Sequence, residues 1–280
     1  MELNQAASIF TTLGHPDRLA ILRLLMRFVP RGQRPTEIAQ ILGIKQNTLS
    51  HHLGELASAG LISVIRQGRS LFYSVNLDMT EGLIGYLALD VGRGRADLLP
   101  PLLSRQTLAK ENETLNVLFL CSGNSARSIM AEALLRDLGK GRLTAYSAGI
   151  QPALAPHPKA LQILREGGHK TSDLRSKNIS EFQHTDAPQM DIVVTVCDRA
   201  AARDCPPWTG HPLTAHWGLP DPAHIQGCDD RQADAFSQTY LALRYRLTAL
   251  VALPVSTLDW HTLQTRIDAI DASALIKEKA

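Results

Sequence analysis

The sequence predicts a mixed two-domain chain, mainly helical at its start and α/β with a parallel sheet beyond. Three observations carry this. The 280 residues are roughly twice the ~150 of a typical domain. Residues 1–92 read as helices and hold no cysteine. Residues 114–252 alternate short apolar runs with helical patterns, the order of a parallel sheet. Residues 93–113, GRGRADLLPPLLSRQTLAKEN, mix glycine, a Pro-Pro pair and charges, and read as a linker. The expected bounds are thus 1–92, a linker at 93–113, 114–255, and a helical tail at 256–280.

Composition limits the function classes. Hydrophobic residues make up 44% and charged residues 20%, which excludes a disordered chain. The charge-free stretches are too short for the ~18 apolar residues that a membrane span needs. The start, Met1 to Gln5, lacks the basic and apolar regions of a leader, so a cytoplasmic protein is expected. Four cysteines in 280 residues cannot form a disulfide scaffold, and catalysis, redox, metal binding or burial remain for them. Residues 1–100 hold 10 Lys+Arg and 8 Asp+Glu, and so carry the whole +2; the remainder, 29−10 and 27−8, balances at 19 each. That basic bias alone is too weak to argue for nucleic acid.

In the first domain, an amphipathic pattern over 6–28 is interrupted at Gly14-His15-Pro16. Pro16 suits the first turn of a second helix, Asp17 to Phe28. Helices are expected at Thr36–Leu42, with Thr36 as cap, and at Gln46–Ala59, joined by a turn at Gly43-Ile44. That order is a helix-turn-helix. Leu49, Leu53 and Leu56 would face a core. Gln46, Asn47, Thr48, Ser50, His51 and His52 offer polar side chains to base edges or phosphates. Ile62 to Val75 reads as a hairpin around Gln67-Gly68-Arg69, with Arg66 and Arg69 placed for the DNA backbone or minor groove.

These segments carry a resemblance: LGHPDRLAILRLL, TEIAQILGIKQNTLSHHLGELASAGLI and RQGRSLFYSV. Residues 6–90 resemble the winged helix-turn-helix of the arsenic-repressor (ArsR) family. The resemblance implies a dimeric repressor of double-stranded operator DNA, paired through its terminal helices. Metalloid sensors of that family often carry thiolates in this region. Residues 1–92 have none, so His15, His51 and His52 are expected to be surface or DNA-facing residues.

In the second domain, strands are expected at Asn116–Leu120, Thr144–Ala148 and Asp191–Val196, and helices at Ile129–Leu138 and 234–252. The apolar positions of that last helix are Leu241, Leu243, Leu247, Leu250 and Val251. The tail should add a short helix and then fray.

The strongest chemical signal is Cys121-Ser122-Gly123-Asn124-Ser125-Ala126-Arg127-Ser128. It follows an expected strand and precedes an expected helix. Such a loop can curl its N–H groups into a nest for a tetrahedral oxyanion at a helix N-terminus. Arg127 would close the cradle with charge-assisted bonds. Loop dipoles, Arg127 and Ser128 would lower the thiol pKa and make Cys121 a thiolate nucleophile. An acid is needed for the leaving oxygen, and Asp221, in the Pro-rich Gly218-Leu219-Pro220-Asp221-Pro222, is the candidate. Cys197 also follows a strand, at the edge where such sheets bind ligands. With Cys205 eight positions on, three thiols permit a disulfide relay. The 197–205 spacing is not that of a zinc site. Cys228 has no such context.

The segments NVLFLCSGNSARSIMAEA, YSAG, TSDLRSK, DIVVTVCD, CP and AHWGLPDPA carry a second resemblance. Residues 114–252 are similar to the low-molecular-weight tyrosine-phosphatase fold, and more closely to its arsenate reductase branch. The resemblance implies Cys121 as nucleophile, Arg127 as oxyanion ligand and Asp221 as acid, with Cys197 and Cys205 as second and third redox cysteines. It implies no tightly bound cofactor and an external donor, thioredoxin or glutathione with glutaredoxin. A potassium ion beside the loop would match Asn124, Glu132, Ser147 and Asp173. The 197–205 interval is one residue longer than in thioredoxin-coupled members. The residues leave three readings: a regulator fused to an arsenate reductase, a phosphatase fused to a regulator, or a pure regulator with a sensory second domain. Trp217 lies near the acid, where phosphotyrosine enzymes place ring-binding aromatics.

Overall fold

A computed structural model describes residues 1–95, 114–184, 186–202, 208, 212–225, 229–255 and 257–278, with side chains through 271. The linker beyond residue 95, Cys205 and Cys228 lie outside the described residues. The chain divides into two compact units, Met1–Ser104 and Arg105–Ala280.

The first unit is built from α1 (Leu3–Leu13), α2 (Pro16–Arg27), α3 (Pro35–Leu42), α4 (Gln46–Ser58), β1 (Ile62–Gln67), β2 (Ser70–Val75) and α5 (Leu77–Gly85), the last running into a π-helical turn at Tyr86–Val91. His15, rather than a serine or threonine, caps α2, its ring accepting the Asp17 N–H. Thr36 is not the cap of α3. Pro35 occupies the first helical position and Arg34 the cap, where the Glu37 carboxylate reaches back to the Arg34 N–H at 2.8 Å. A proline fits there because that N–H has no helical partner. Gly43, at φ 69°, ends α3 and turns the chain into α4. Ile21, Leu25, Ile38, Leu49, Leu53 and Leu56 are buried. The β1–β2 hairpin pairs Ile62 with Val75 and Gln67 with Ser70. Gly68, at φ 61°, takes the loop position that needs the left-handed region.

The second unit is a four-stranded parallel sheet. Its strands are β3 (Leu115–Cys121), β4 (Leu143–Gly149), β5 (Ile192–Thr195) and β6 (Leu213–His216), in the order β4-β3-β5-β6. β3 is buried almost throughout, as central parallel strands are. The helices are α6 (Arg127–Leu138), α7 (Pro158–Glu166), α8 (Asp198–Ala202), α9 (Asp229–Val251) and α10 (Trp260–Glu278). The first nine residues of α6 are all buried, so its apolar pattern runs all round rather than along one stripe.

On α9 the buried stripe is Phe236, Thr239, Leu243, Leu247 and Leu250, at helical spacing, while Leu241 is 60% exposed. The tail does not fray after a short helix. α10 is 19 residues long, and Leu263, Ile267 and Ile270 join the core. The buried Arg246 of α9 donates from Nε to Asp271 at 3.0 Å, which ties the two helices. Because the strand order reverses between β3 and β5, the loops leaving their carboxyl ends form the crevice where such sheets bind ligands.

Candidate functional site

The loop leaving β3 runs from Cys121 to Arg127. Its carbonyls turn outward. Those of Cys121, Ser122, Gly123 and Ser125 accept the N–H groups of Ile150, Gln151, Ala153 and His157 at 2.8–3.2 Å. That of Asn124 accepts the Ser176 hydroxyl at 2.9 Å. In a trans peptide the N–H points opposite to its carbonyl. The N–H groups from Ser122 to Ala126 therefore turn inward, and that of Asn124 reaches the Cys121 sulfur at 3.1 Å. Gly149 lets the loop lie this close to β4: a Cβ there would meet the Ser122 oxygen at 2.8 Å and the Asn124 nitrogen at 2.9 Å. Asn124 itself takes φ 42°, a conformation asparagine tolerates better than most.

A directed chain of hydrogen bonds leads to the sulfur. Glu132 accepts at one carboxylate oxygen from the Lys177 ammonium, 2.8 Å away, and from the Ser147 hydroxyl. With its proton spent there, Ser147 accepts from Asn124 Nδ2 at 2.8 Å. The other Asn124 amide proton goes to the Ser128 hydroxyl at 2.9 Å. The Ser128 hydroxyl lies 2.9 Å from Cys121 Sγ and keeps its own proton free to donate to a thiolate there. Asn124 Oδ1 accepts the Lys177 N–H at 2.7 Å. Asn124, Ser128, Glu132, Ser147 and Lys177 are all buried, where such bonds are strong and their loss costly.

Arg127 heads α6. Its Nη1 donates to the Leu219 carbonyl at 3.0 Å and its Nη2 to Asp221 Oδ2. Its Nε is buried without a hydrogen-bond partner among the described residues. An orphaned cationic donor beside inward N–H groups is what a tetrahedral oxyanion satisfies. Asp221 also accepts the Ala223 N–H at 3.2 Å and has His224 Nδ1 at 3.2 Å. The expected acid thus stands as the ion-pair partner of Arg127.

Cys197 stands between β5 and α8, directly before the helix, and is as buried as Cys121. Its sulfur lies 3.5 Å from the Ser122 hydroxyl, on the residue next to Cys121.

The pull expected towards the Cys121 thiolate is opposed by its surroundings. Burial holds the thiol above the ordinary cysteine value, and Cys197 nearby pushes the same way; Ser128 and Arg127 pull it down without prevailing. Burial is the largest influence on the thiol, and the Arg127 guanidinium that pulls the other way is itself paired with Asp221.

The residues that would match a potassium ion do not fit one here. The Lys177 ammonium already sits on Glu132. Asn124 Oδ1 is taken by a backbone N–H. Asp173 is held on the surface by Arg136, at 3.0 Å from both carboxylate oxygens. Lys177 and Ser176 went unassigned at the sequence level although both stand within TSDLRSK. Trp217 is also no ring-binding residue: it is fully buried, its ring 6.4 Å from that of Phe119.

In the first unit, Gln46, Asn47, Thr48, Ser50 and His51 are exposed along the first turns of α4, and Arg66 and Arg69 are exposed in the hairpin. His52 is the exception. It is buried under the helix, and burial together with the adjacent His15 holds it below the ordinary histidine value. At helical spacing it falls on the core stripe of Leu49, Leu53 and Leu56 rather than on the outer face.

A parallel sheet with a Cys-to-Arg oxyanion loop at its carboxyl edge defines a thiol-dependent, oxyanion-binding α/β protein. A family model described as low molecular weight phosphotyrosine protein phosphatase matches residues 116–261, just over half of the chain, and the chain belongs to that family. A second model, a helix-turn-helix domain, matches residues 13–65. The chain is similar to the arsenate reductase of Bacillus subtilis, 36% identical over 120 residues, which cover 41% of this chain and 80% of that protein. It is equally similar to the arsenate reductase of Oceanobacillus iheyensis, 36% identical over 126 residues, 44% of this chain and 84% of that protein. A solved arsenate reductase structure from Archaeoglobus fulgidus aligns at 28% identity and a TM-score of 0.41, over 49% of this chain and 99% of its own. Among the described residues, no helix is long and apolar enough to cross a membrane.

Proposed function

We propose that the second unit reduces arsenate to arsenite and that the first is a DNA-binding regulator. One observation carries the reduction: a second buried thiol, Cys197, lies against the loop that holds Cys121. Hydrolysis of a phosphate ester has no use for it.

The steps balance as follows. Arsenate enters the ring of inward N–H groups, where Arg127 Nε supplies a further donor. Its negative charge draws the guanidinium from Asp221, the freed Asp221 carboxylate takes up the proton that Cys121 gives up, and the Ser128 hydroxyl can donate to the thiolate left behind. Cys121 Sγ forms a bond to arsenic, and one arsenic–oxygen bond breaks. The oxygen leaves as water with a proton from Asp221. Cys197 Sγ then attacks Cys121 Sγ. The sulfur–arsenic bond breaks with its electron pair on arsenic, which leaves as arsenite, and a 121–197 disulfide remains. Cys205 attacks Cys197 and frees Cys121. An external dithiol or thiol, thioredoxin or glutathione with glutaredoxin, reduces the 197–205 disulfide. Two electrons thus pass from donor thiols to one arsenic. In place of a potassium ion, the Lys177 ammonium holds Glu132 and so the hydrogen-bond chain to the sulfur.

The first unit would dock α4 in the major groove of double-stranded operator DNA through Gln46, Asn47, Thr48, Ser50 and His51, with Arg66 and Arg69 on phosphates or in the minor groove. A homodimer reading two half-sites suits this mode. Both activities place the working protein in the cytoplasm, with DNA and reduced thiols.

The test is arsenate-dependent NADPH oxidation by the purified chain, with a thioredoxin system and separately with glutathione and glutaredoxin, beside p-nitrophenyl phosphate hydrolysis. Arsenate turnover with either donor is expected. Ester hydrolysis without arsenate reduction would move the assignment to a phosphatase and leave Cys197 without a role.

A further inference from the structure

Away from the cysteine loop, the first unit holds a thiol-free cluster of metal-binding side chains. His15 caps α2, Asp17 stands in its first turn, and His52 reaches up from the middle of α4. One ligand atom from each lies within 4.8 Å of the others. The His15 and His52 rings are 4.5 Å apart between centroids, and His52 Nε2 is 3.5 Å from Asp17 Oδ2.

His52 makes the arrangement unusual. Its side chain is 6% exposed, and neither ring nitrogen has a hydrogen-bond partner among the described residues. A buried imidazole that makes no hydrogen bond, with only the 3.5 Å approach of Nε2 to Asp17, costs stability unless something satisfies it. The Asp17 carboxylate, 45% exposed, opens the cluster to solvent. Arg18, the adjacent cation, is turned to the carbonyls of Thr11 and Thr12.

We propose that His15, Asp17 and His52 form a binding site for a divalent first-row metal ion of the zinc class. Two imidazoles and one carboxylate are a borderline donor set that suits such ions, with water completing the coordination. Tetrahedral ligands at ~2.1 Å from zinc stand about 3.4 Å from each other. Side-chain rotation of about an ångström would close the cluster onto the ion. The bound ion would tie the start of α2 to α4, the helix that carries the exposed polar side chains.

The experiment uses the full chain after chelator treatment. Zinc bound per chain is measured by equilibrium dialysis for wild type, Asp17→Asn, His15→Ser and His52→Gln. Serine preserves the cap of α2, and Asp17 is half exposed, so these two variants decide the matter even if His52→Gln fails to fold. All variants keep the same four cysteines, so zinc held by thiols cancels in the difference. In parallel, the ring resonances of His52 are followed as zinc is added. The expected result is one equivalent fewer in each folded variant, or an affinity weakened about tenfold or more, together with a zinc-dependent shift of the His52 signals in wild type. Equal zinc binding in wild type and variants, or His52 signals that do not move, overturns the proposal and leaves His52 a buried structural histidine.

Discussion

Around Cys121 the polar side chains are buried and bonded to one another, whereas along α4 they stand in solvent one by one. Asn124, Ser128, Glu132, Ser147 and Lys177 form one connected chain of hydrogen bonds that ends at the sulfur. Gln46, Asn47, Thr48 and Ser50 share a face but no such chain among the described contacts; Ser50 donates only to its own helix, at the Gln46 carbonyl. The difference teaches how each region answers to substitution. A buried network fails as a unit because removing one member strands the others. Exposed contacts fail separately.

The largest effect should come from the sulfur itself. Cys121→Ser is expected to reduce arsenate turnover to background in the coupled NADPH assay. Cys197→Ser should stop after at most one covalent adduct per chain, read by intact mass. Repeated turnover by Cys197→Ser with either donor would break the relay. Next come the supporting residues. Asn124→Ala and Glu132→Gln are each expected to lower kcat by about 10²-fold, the scale of losing one preorganised donor at a reacting centre. The double variant should lose much less than the product of the two. For operator affinity, Gln46→Ala and Arg69→Ala should instead combine as a simple product. Multiplicative losses around Cys121 would dissolve the contrast.

How much of this was legible follows the same line. The helix-turn-helix, three of the four parallel strands, the Cys-to-Arg loop and most of the outward face of α4 rest on local patterns that can be read from a linear chain, whereas β6 and α7 are not among the expected elements. The raised Cys121 pKa could not be read, because it depends on the burial of the loop and on Cys197, which only folding brings near. Lys177 was hidden for a similar reason: only folding lays its ammonium on Glu132, 45 positions away. His52 sat in a polar run, and only the helical phase set by Leu49, Leu53 and Leu56 turns it inward. α10 reads as a short helix with fraying residues after it until its apolar side chains join the core and Arg246 supplies the buried partner of Asp271.

The ion pair with Asp221 gives a smaller and sharper test. In the free protein the Cys121 thiol titrates above the ordinary cysteine range, so its thiolate fraction rises only at alkaline pH. Asp221→Asn removes the carboxylate charge and leaves the Arg127 guanidinium to act on the sulfur. An opposite charge at close range favours the ionised form. The titration midpoint should fall by about one pH unit, read as thiolate ultraviolet absorbance after subtracting that of Cys121→Ser. An unchanged midpoint would mean that burial and Cys197 set the thiol without the ion pair.

The smallest effect belongs to the exposed face. Arg69 stands in solvent in the β1–β2 hairpin. If it neutralises one phosphate, removing it releases one counterion fewer, and the slope of log affinity against log salt falls by about 0.9. Between 50 and 200 mM salt, wild-type affinity should then drop about 3- to 4-fold more than that of Arg69→Ala. The loss should be alike for operator and unrelated DNA, because phosphates carry no sequence information. Gln46→Ala should do the reverse, relaxing discrimination between sequences by ~1–3 kcal/mol while leaving the salt slope unchanged. Filter binding across a salt series with both DNAs separates the two. If Arg69→Ala alters sequence preference and not slope, the hairpin reads bases, and the division of labour between α4 and the hairpin must be redrawn.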